Sequence, residues 1–146
     1  MAVAGIQLRD FSLRFDGEPL FEQLNTHFAA AQWHSILGRS GVGKSSLIKA
    51  IAGLLQGYEK SGDILADDGQ QLGARIAWMA QDDLLLPWLT VTQNILLGPR
   101  LRKALDKPTQ QRTQVLLEQV GLAGMGERMP NQLSGGQRQR VALART

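Results

Sequence analysis

GRSGVGKS, residues 38–45, decides the fold because it matches the pattern G-x-x-x-x-G-K-[S/T]. A short apolar segment, WHSIL at 33–37, comes directly before it and predicts a strand. Apolar residues then recur at three- and four-residue spacing over 44–54, which predicts a helix with Gly57 available to end it. A strand, a glycine-rich loop and a helix in this order are typical of phosphate-binding sites.

The residue types of this loop suit a nucleoside triphosphate. Glycines at 38, 41 and 43 permit backbone conformations that turn successive N–H groups toward an anion. Lys44 supplies a mobile cation for the β and γ phosphates, and the Ser45 hydroxyl is a ligand for Mg²⁺. The predicted nucleotide-binding residues of the loop are Gly38, Arg39, Ser40, Gly41, Val42, Gly43, Lys44, Ser45 and Ser46. The alternative is a chance glycine-rich turn with a solvated lysine, which the full match in this context disfavours.

Alternating apolar residues predict strands on both sides of the loop. Residues 6–15 alternate with one slip of phase, as a β-bulge would produce, and 24–28 form a second extended stretch. Two further short strands are predicted at 61–66 and 76–79. Together with 33–37, these segments predict an α/β domain.

The pattern becomes helical after Gln81. Residues 90–93 have the spacing of a capping box, and residues 108–109 begin another helix that Gly121 ends. Residues 90–125 are therefore predicted to be a helical insertion, which a loop follows.

Length and composition predict a single globular domain of 146 residues, with 43% hydrophobic and 20% charged residues. No apolar run approaches the roughly 20 residues that cross a bilayer. The N-terminus lacks the pattern of a secretory signal and there is no cysteine, so the cytoplasm is the expected compartment. The net charge is only +3, and no aromatic residues interleave with the basic clusters, so nucleic acid is not expected as a partner.

LSGGQ at 133–137 places two glycines at the start of the last predicted helix. Free N–H groups and the Ser134 hydroxyl there could bind an anion. Alternatively, Ser134 and Gln137 cap their own helix, since they have capping-box spacing. Local chemistry leaves both interpretations open.

The longer stretch LSGGQRQRVALAR at 133–145, with the phosphate loop upstream and Gln81 between, resembles the nucleotide-binding domain of ATP-binding cassette (ABC) transporters. The resemblance covers essentially the whole chain. It implies a phosphate-loop NTPase fold with an N-terminal antiparallel β subdomain, a partial parallel core sheet and a helical subdomain after Gln81. The expected domain is divided into 1–81, 82–134 and 135–146.

The resemblance also implies residue roles. In this family two domains dimerise head to tail around ATP, so the signature of one contacts the nucleotide of a second ATP-binding subunit. The implied signature residues are Leu133, Ser134, Gly135, Gly136 and Gln137. Gln81 would help to coordinate Mg²⁺ and sense the γ-phosphate. Phe15 matches the position of an aromatic that stacks on adenine, although a core strand residue is the alternative.

QDDLLLPWLTV at 81–91 resembles the importer branch for nitrate, sulfonate, taurine and thiamine-pyrimidine precursors. ATP hydrolysis would then drive solute import at the inner face of the cell membrane. The implied partners are integral membrane permease subunits and, indirectly, a periplasmic or extracellular solute-binding protein. Residues 84–88 are either core or the contact for a short helix of a membrane subunit.

The family's Walker B strand, catalytic glutamate and switch histidine lie after the signature helix and are not found here, so the chain looks like an N-terminal portion of the domain. Lys44 and Gln81 remain as the catalytic candidates, and the 146-residue chain alone is expected not to hydrolyse ATP. His27 and His34 are expected to be structural residues on strand edges. Residues 82–83 are aspartates that we expect to face solvent rather than act as a base.

Three alternatives to an importer subunit stay open. One is a truncated, non-hydrolytic nucleotide-binding fragment. A soluble ABC protein of DNA repair or translation would carry long insertions or tandem cassettes, which are not seen. An exporter half is disfavoured because no membrane-spanning region is fused to the domain.

Overall fold

The computed structural model describes residues 3–146, and the chain divides into two compact units, Met1–Ala77 and Trp78–Thr146. The three-part division expected from the sequence stays a prediction. Within residues 3–146, none of the helices has both the length and the apolar character that crossing a membrane requires.

The first unit is built on a three-stranded antiparallel sheet with the order β2-β1-β3. Its elements are β1 (Ile6–Phe15), β2 (Glu18–Phe28), α1 (Lys44–Ile51), β3 (Glu59–Ala66) and a 3₁₀ turn at Gly73–Arg75.

The β1–β2 hairpin turns at Asp16 and Gly17, whose φ angles of 49° and 80° suit the tight turn that matches strand twist. The predicted slip of phase in β1 is confirmed, since the pairing with β2 shifts register on both sides of Phe11. At the bulge, the backbone N–H of Asp10 donates to the Asn25 side chain at 2.9 Å. Asn25 in turn donates to the Asp10 carboxylate, also at 2.9 Å, so two polar side chains fix the irregular register.

The expected partial parallel sheet is wrong for residues 3–146. The predicted strands at 33–37 and 76–79 carry no ladder hydrogen bonds, although the strand predicted at 61–66 is present within β3. A strand needs a neighbour for its N–H and C=O groups, and neither segment has one among the described residues. Trp33 and Leu37 are accordingly exposed.

One face of the sheet packs against α1 to form the core of this unit. The buried side chains are Leu8, Phe11, Leu13, Leu47 and Ala50. The helix ends at Ile51, earlier than predicted, and Gly53 follows with φ 70°. Gly53 rather than Gly57 therefore ends α1, because glycine takes this left-handed conformation without a Cβ clash.

The second unit is helical. Its elements are α2 (Val91–Ile95), α3 (Leu97–Leu101), α4 (Lys107–Gln119), a 3₁₀ turn at Pro130–Gln132 and α5 (Gly135–Arg145). Its buried core consists of Leu85, Val91, Ile95, Leu117, Leu122, Leu133 and Val141. Buried residues of α2, α4 and α5 converge on this core, which fixes the start of α5 beside Leu133.

Local capping explains where these helices begin and end. The predicted capping box of α2 is confirmed: Thr90 Oγ1 accepts from the Gln93 N–H at 3.2 Å, and Gln93 Oε1 accepts from the Thr90 N–H at 3.0 Å. Asp106 caps α4 by accepting from the Thr109 N–H at 2.8 Å. Gly121, at φ 68°, follows α4 as predicted.

Candidate functional site

The glycine-rich loop leads directly into α1. Gly41 and Gly43 have φ angles of 84° and 91°, in the left-handed region that favours glycine. Gly43 is the N-cap of α1, and no side chain caps this helix start. The first N–H groups of α1 therefore have no capping partner among the described side chains, and the positive end of the helix dipole lies at the same place.

Lys44, the first residue of α1, turns its side chain back over the loop. Its ammonium donates to the carbonyl oxygens of Gly38 at 2.9 Å and Arg39 at 2.6 Å. The cation is thus held beside the loop rather than extended into solvent. Because charged groups form stronger hydrogen bonds, phosphate oxygens are better acceptors for this ammonium than these two carbonyls.

A cleft of about 480 Å³ joins the loop to the end of the β1–β2 hairpin. Its lining residues are Phe15, Leu20, Ser40, Gly41, Gly43, Lys44, Ser45, Ser46 and Tyr58. One part of the lining is aromatic and aliphatic, and the other consists of loop backbone, hydroxyls and an ammonium. This volume and this division fit a ligand with a planar apolar part and an anionic part.

Phe15 lines this cleft and is not a core residue, because 47% of its surface is exposed to solvent. The alternative interpretation of Phe15 as a core strand residue is therefore wrong. Tyr58 lies against it, with ring centroids 4.9 Å apart and ring planes tilted by 40°. Tyr58 carries no signal in the sequence, because a single aromatic before a short strand forms no motif.

The residues present at the loop fit a magnesium ion that is held mainly by a bound triphosphate. Ser45 lines the cleft beside Lys44 and is exposed, so its hydroxyl oxygen is available as one hard ligand. Among the described residues, no group of three or more acidic or histidine side chains is arranged to hold a metal. Phosphate oxygens and water would supply the remaining ligands, as is usual for Mg²⁺.

In the second unit, the signature segment caps its own helix. Ser134 Oγ accepts from the Gln137 N–H at 3.3 Å, and Gln137 Oε1 accepts from the Ser134 N–H at 2.8 Å. The self-capping interpretation is therefore confirmed. Gly135 and Gly136 are exposed in the first turn, and their N–H groups have no acceptor among residues 3–146.

The segment that follows Gln81 is held by side chains of α5. Gln139 donates to the Gln81 carbonyl at 2.9 Å, and the Gln81 side chain is left exposed. Arg138 forms an ion pair with Asp83 at 2.9 Å, and Arg145 donates to the carbonyl oxygens of Asp83 and Leu84, both at 2.7 Å. The solvent-facing prediction is correct for the exposed Asp82 but wrong for Asp83, because the Arg138 guanidinium covers its carboxylate.

Asn94 is a buried residue that sequence reasoning missed. Its side chain donates to the carbonyls of Leu86, Leu89 and Thr90 at 3.0–3.1 Å and accepts from the Leu86 N–H at 2.8 Å. It thus fixes the backbone between Leu85 and α2. Its position three residues after the buried Val91, on the apolar face of the helix, was the available signal.

The two histidines make structural contacts. His27 is in β2 and lies 2.9 Å from the Asp67 carboxylate, and His34 lies 3.0 Å from the Ala29 carbonyl. The expected strand-edge position is wrong for His34, because residues 32–39 form no strand.

Comparisons with known proteins agree with these motifs. The sequence profile of the ABC transporter family matches residues 21–146. An uncharacterized ABC transporter ATP-binding protein of Haemophilus influenzae is 42% identical over 141 residues, which are 97% of this chain and 57% of that protein. The aliphatic sulfonates import ATP-binding protein SsuB 2 of Agrobacterium fabrum is 43% identical over 134 residues, 90% of this chain and 48% of that protein.

The fold is also found in a solved structure. The structure of cbiO1 from Clostridium perfringens, part of the ABC transporter complex cbiONQ, matches with a TM-score of 0.82 and 24% identity. The match covers 99% of this chain and 61% of that chain. The chain spans about half the length of the curated relatives it matches. From the profile match over most of its length, the chain belongs to the ABC transporter family.

Proposed function

We propose that this chain is the nucleotide-binding part of the ATP-binding subunit of an ABC importer, in which ATP binding and hydrolysis drive solute uptake. The observation that carries the proposal is the cleft of the first unit. It brings an exposed aromatic ring, Phe15, and the phosphate loop around Lys44 together in about 480 Å³.

ATP would bind with its triphosphate at the loop and its adenine near Phe15. The uncapped N–H groups at the start of α1 would donate to phosphate oxygens, and the Lys44 ammonium would neutralise charge on the β and γ phosphates. Phosphoryl transfer depends mainly on positioning and electrostatic stabilisation, which these groups supply. Phe15 would stack on the base from the end of β1.

Magnesium would be bound with ATP, and Ser45 would provide the protein hydroxyl that contacts it. We assign Gln81 to the same ion and to the γ-phosphate on the family pattern alone. The side chain of Gln81 is exposed and is compatible with that role, because Gln139 donates to the backbone carbonyl of Gln81 and leaves the side-chain amide free for a ligand.

The signature segment would act on ATP held by a second ATP-binding subunit in a head-to-tail dimer. The Ser134 hydroxyl accepts from the backbone and can still donate to a phosphate oxygen, so capping and ligand contact do not compete. The exposed N–H groups of Gly135 and Gly136 would face the same phosphate. Leu133 is buried and would anchor the segment from within the unit.

The importer assignment rests on relatives whose names state import of aliphatic sulfonates. The subunit would then lie on the cytoplasmic face of the cell membrane, in contact with integral permease subunits. A solute-binding protein on the outer side would deliver the solute to these permease subunits. Leu84 and Trp88, whose surfaces are 62% and 68% exposed, would form the apolar contact for a permease helix. The buried Leu85 between them belongs to the core, so the segment serves both purposes.

The 146-residue chain alone would bind ATP without hydrolysing it. No carboxylate is found among the described residues that line the cleft, so no general base or second metal ligand is at hand there. Loss of a single such group commonly costs a hundredfold or more in rate, as about 3 kcal/mol of lost transition-state stabilisation implies.

Calorimetric titration of the 146-residue chain with Mg-ATP, followed by an assay of phosphate release, tests the proposal. We expect binding that inorganic tripolyphosphate competes away, with phosphate release at background. Absence of Mg-ATP binding by a folded chain would contradict the nucleotide-binding function. Turnover at about one per second or faster, an ordinary enzymatic rate, would contradict the non-hydrolytic part.

A further inference from the structure

Tyr58 occupies the aromatic end of the cleft, next to Phe15. We propose that Tyr58 is a positioning residue for the nucleobase, which holds the Phe15 ring in one orientation so that a base can stack on it. This inference rests on the proposed nucleotide-binding function. It assigns the base end of the cleft to a pair of rings rather than to Phe15 alone.

The sheet register explains why these two rings meet. β1 and β3 pair antiparallel, with Leu13 opposite Lys60 and Arg14 opposite Glu59. Tyr58 directly precedes β3, and extending this register by one residue places it opposite Phe15, the last residue of β1. Cβ atoms of directly opposed residues lie about 5 Å apart, close enough for two aromatic rings to touch, and the ring centroids here are 4.9 Å apart.

Phe15 requires such support because it is the last residue of β1, directly before the Asp16-Gly17 turn. About half of its surface is exposed, so few neighbours restrict its rotamers. A freely rotating ring would lose conformational entropy on stacking with a ligand. A ring already fixed in the stacking orientation avoids most of that loss.

Tyr58 is suited to provide this support. It is partly buried and packs against the hydrophobic core of the first unit, so its own ring is anchored. The tilted arrangement at 4.9 Å is a favourable aromatic pair. Leu20 is the other apolar side chain at the cleft, so contact with rings, rather than a charged partner, would dominate at the base end.

Two ligands separate the base end from the phosphate end. Mg-ATP uses both, whereas magnesium tripolyphosphate uses only the loop around Lys44. We would measure the affinity of both for the parent chain, Tyr58→Leu and Tyr58→Phe by calorimetry. Tyr58→Leu keeps an apolar side chain against the core but removes the ring, and Tyr58→Phe keeps the ring without its hydroxyl.

Tyr58→Leu should weaken Mg-ATP binding about three- to tenfold, the range expected for one aromatic pair, and leave tripolyphosphate binding unchanged. Tyr58→Phe should restore the parent affinity for Mg-ATP. In a Phe15→Leu background, Tyr58→Leu should have no further effect, because Tyr58 acts through Phe15. Should Tyr58→Leu not fold, Tyr58→Met takes its place, since its flexible side chain fills irregular core space.

An unchanged Mg-ATP affinity in Tyr58→Leu, or an equal loss for both ligands, would overturn the inference and leave the phosphate site intact. Additive losses in the double variant would also overturn it. If the folded parent binds neither ligand, the proposed function itself is wrong, and this inference is wrong with it.

Discussion

The starts of α1 and α5 are both glycine-rich, yet they are built differently. The N-cap of α1 is Gly43, a left-handed glycine with φ 91°, and no side chain caps this helix. The N-cap of α5 is Ser134, which forms both hydrogen bonds of a capping box with Gln137. Neither helix has an acidic residue in its first turn.

This difference shows how similar local composition leads to different chemistry. At α1 the N–H groups are left to a ligand, and the Lys44 ammonium lies beside them. At α5 the protein satisfies part of its own helix start, and the cation of the first turn, Arg138, is already paired with the Asp83 carboxylate. We therefore expect the α1 start to bind a phosphate chain by itself, and the α5 start to bind only a phosphate that another subunit presents.

The largest effect is expected for Lys44→Ala. Loss of a charged hydrogen-bond donor should cost about 1.5–3 kcal/mol, or about tenfold to a hundredfold in Mg-ATP affinity. Stability should change little, since the ammonium contacts only carbonyls of its own loop. Lys49→Ala, in the last turn of the same helix, is the matched control and should bind normally. Equal affinities for parent and Lys44→Ala would remove the loop from the account.

A pair of glycine substitutions compares the two helix starts directly. A Cβ at Gly43 would lie 2.9 Å from the Phe21 ring at a φ that side chains disfavour, so Gly43→Ala should destabilise the chain by about 1–3 kcal/mol. A Cβ at Gly136 meets nothing within 4 Å, so Gly136→Ala should be neutral or stabilising by up to about 1 kcal/mol. Urea unfolding measures the free energy of unfolding of both variants relative to the parent chain. The reverse order would show that the two starts are not distinguished by backbone geometry.

Ser134→Ala tests whether the α5 start is closed by its own side chains. Removal of the cap should destabilise the second unit by about 1 kcal/mol, while Mg-ATP binding by the isolated chain stays unchanged. Ser134→Thr retains the hydroxyl and should recover most of the stability. Weaker Mg-ATP binding by Ser134→Ala in a monomer would contradict the assignment of this segment to a partner's nucleotide.

The smallest effect is expected at the start of α4, which the Asp106 carboxylate caps. Hydrogen bonding from Thr109 lowers the pKa of Asp106 below its ordinary value. Because the folded pKa lies below the unfolded one, the cap contributes stability above about pH 4 and loses it as the pH falls through the folded pKa. Asp106→Asn keeps a capping oxygen but does not titrate there. Urea unfolding from neutral to acidic pH should therefore show a stability difference between parent and variant that shrinks on acidification, and a constant difference would refute this.

The sequence predicts the features that depend on neighbouring residues, and misses those that depend on distant ones. The loop, both capping boxes and the bulge of β1 follow from local spacing. The strands predicted at 33–37 and 76–79 fail because a strand also needs a partner to pair with. The Arg138–Asp83 ion pair spans 55 residues, and the Phe15–Tyr58 contact depends on sheet register. No local pattern encodes either one.

An NMR titration of dilute ¹⁵N-labelled chain with magnesium tripolyphosphate tests most directly whether the α1 start, and not the α5 start, binds phosphate. The measured quantity is the change in each backbone amide chemical shift. We expect large changes confined to residues 38–46 and none at residues 134–137, because Lys44 is held by loop carbonyls, whereas Arg138 at the α5 start is paired with the Asp83 carboxylate. Changes at 134–137 without changes at 38–46 would contradict the account.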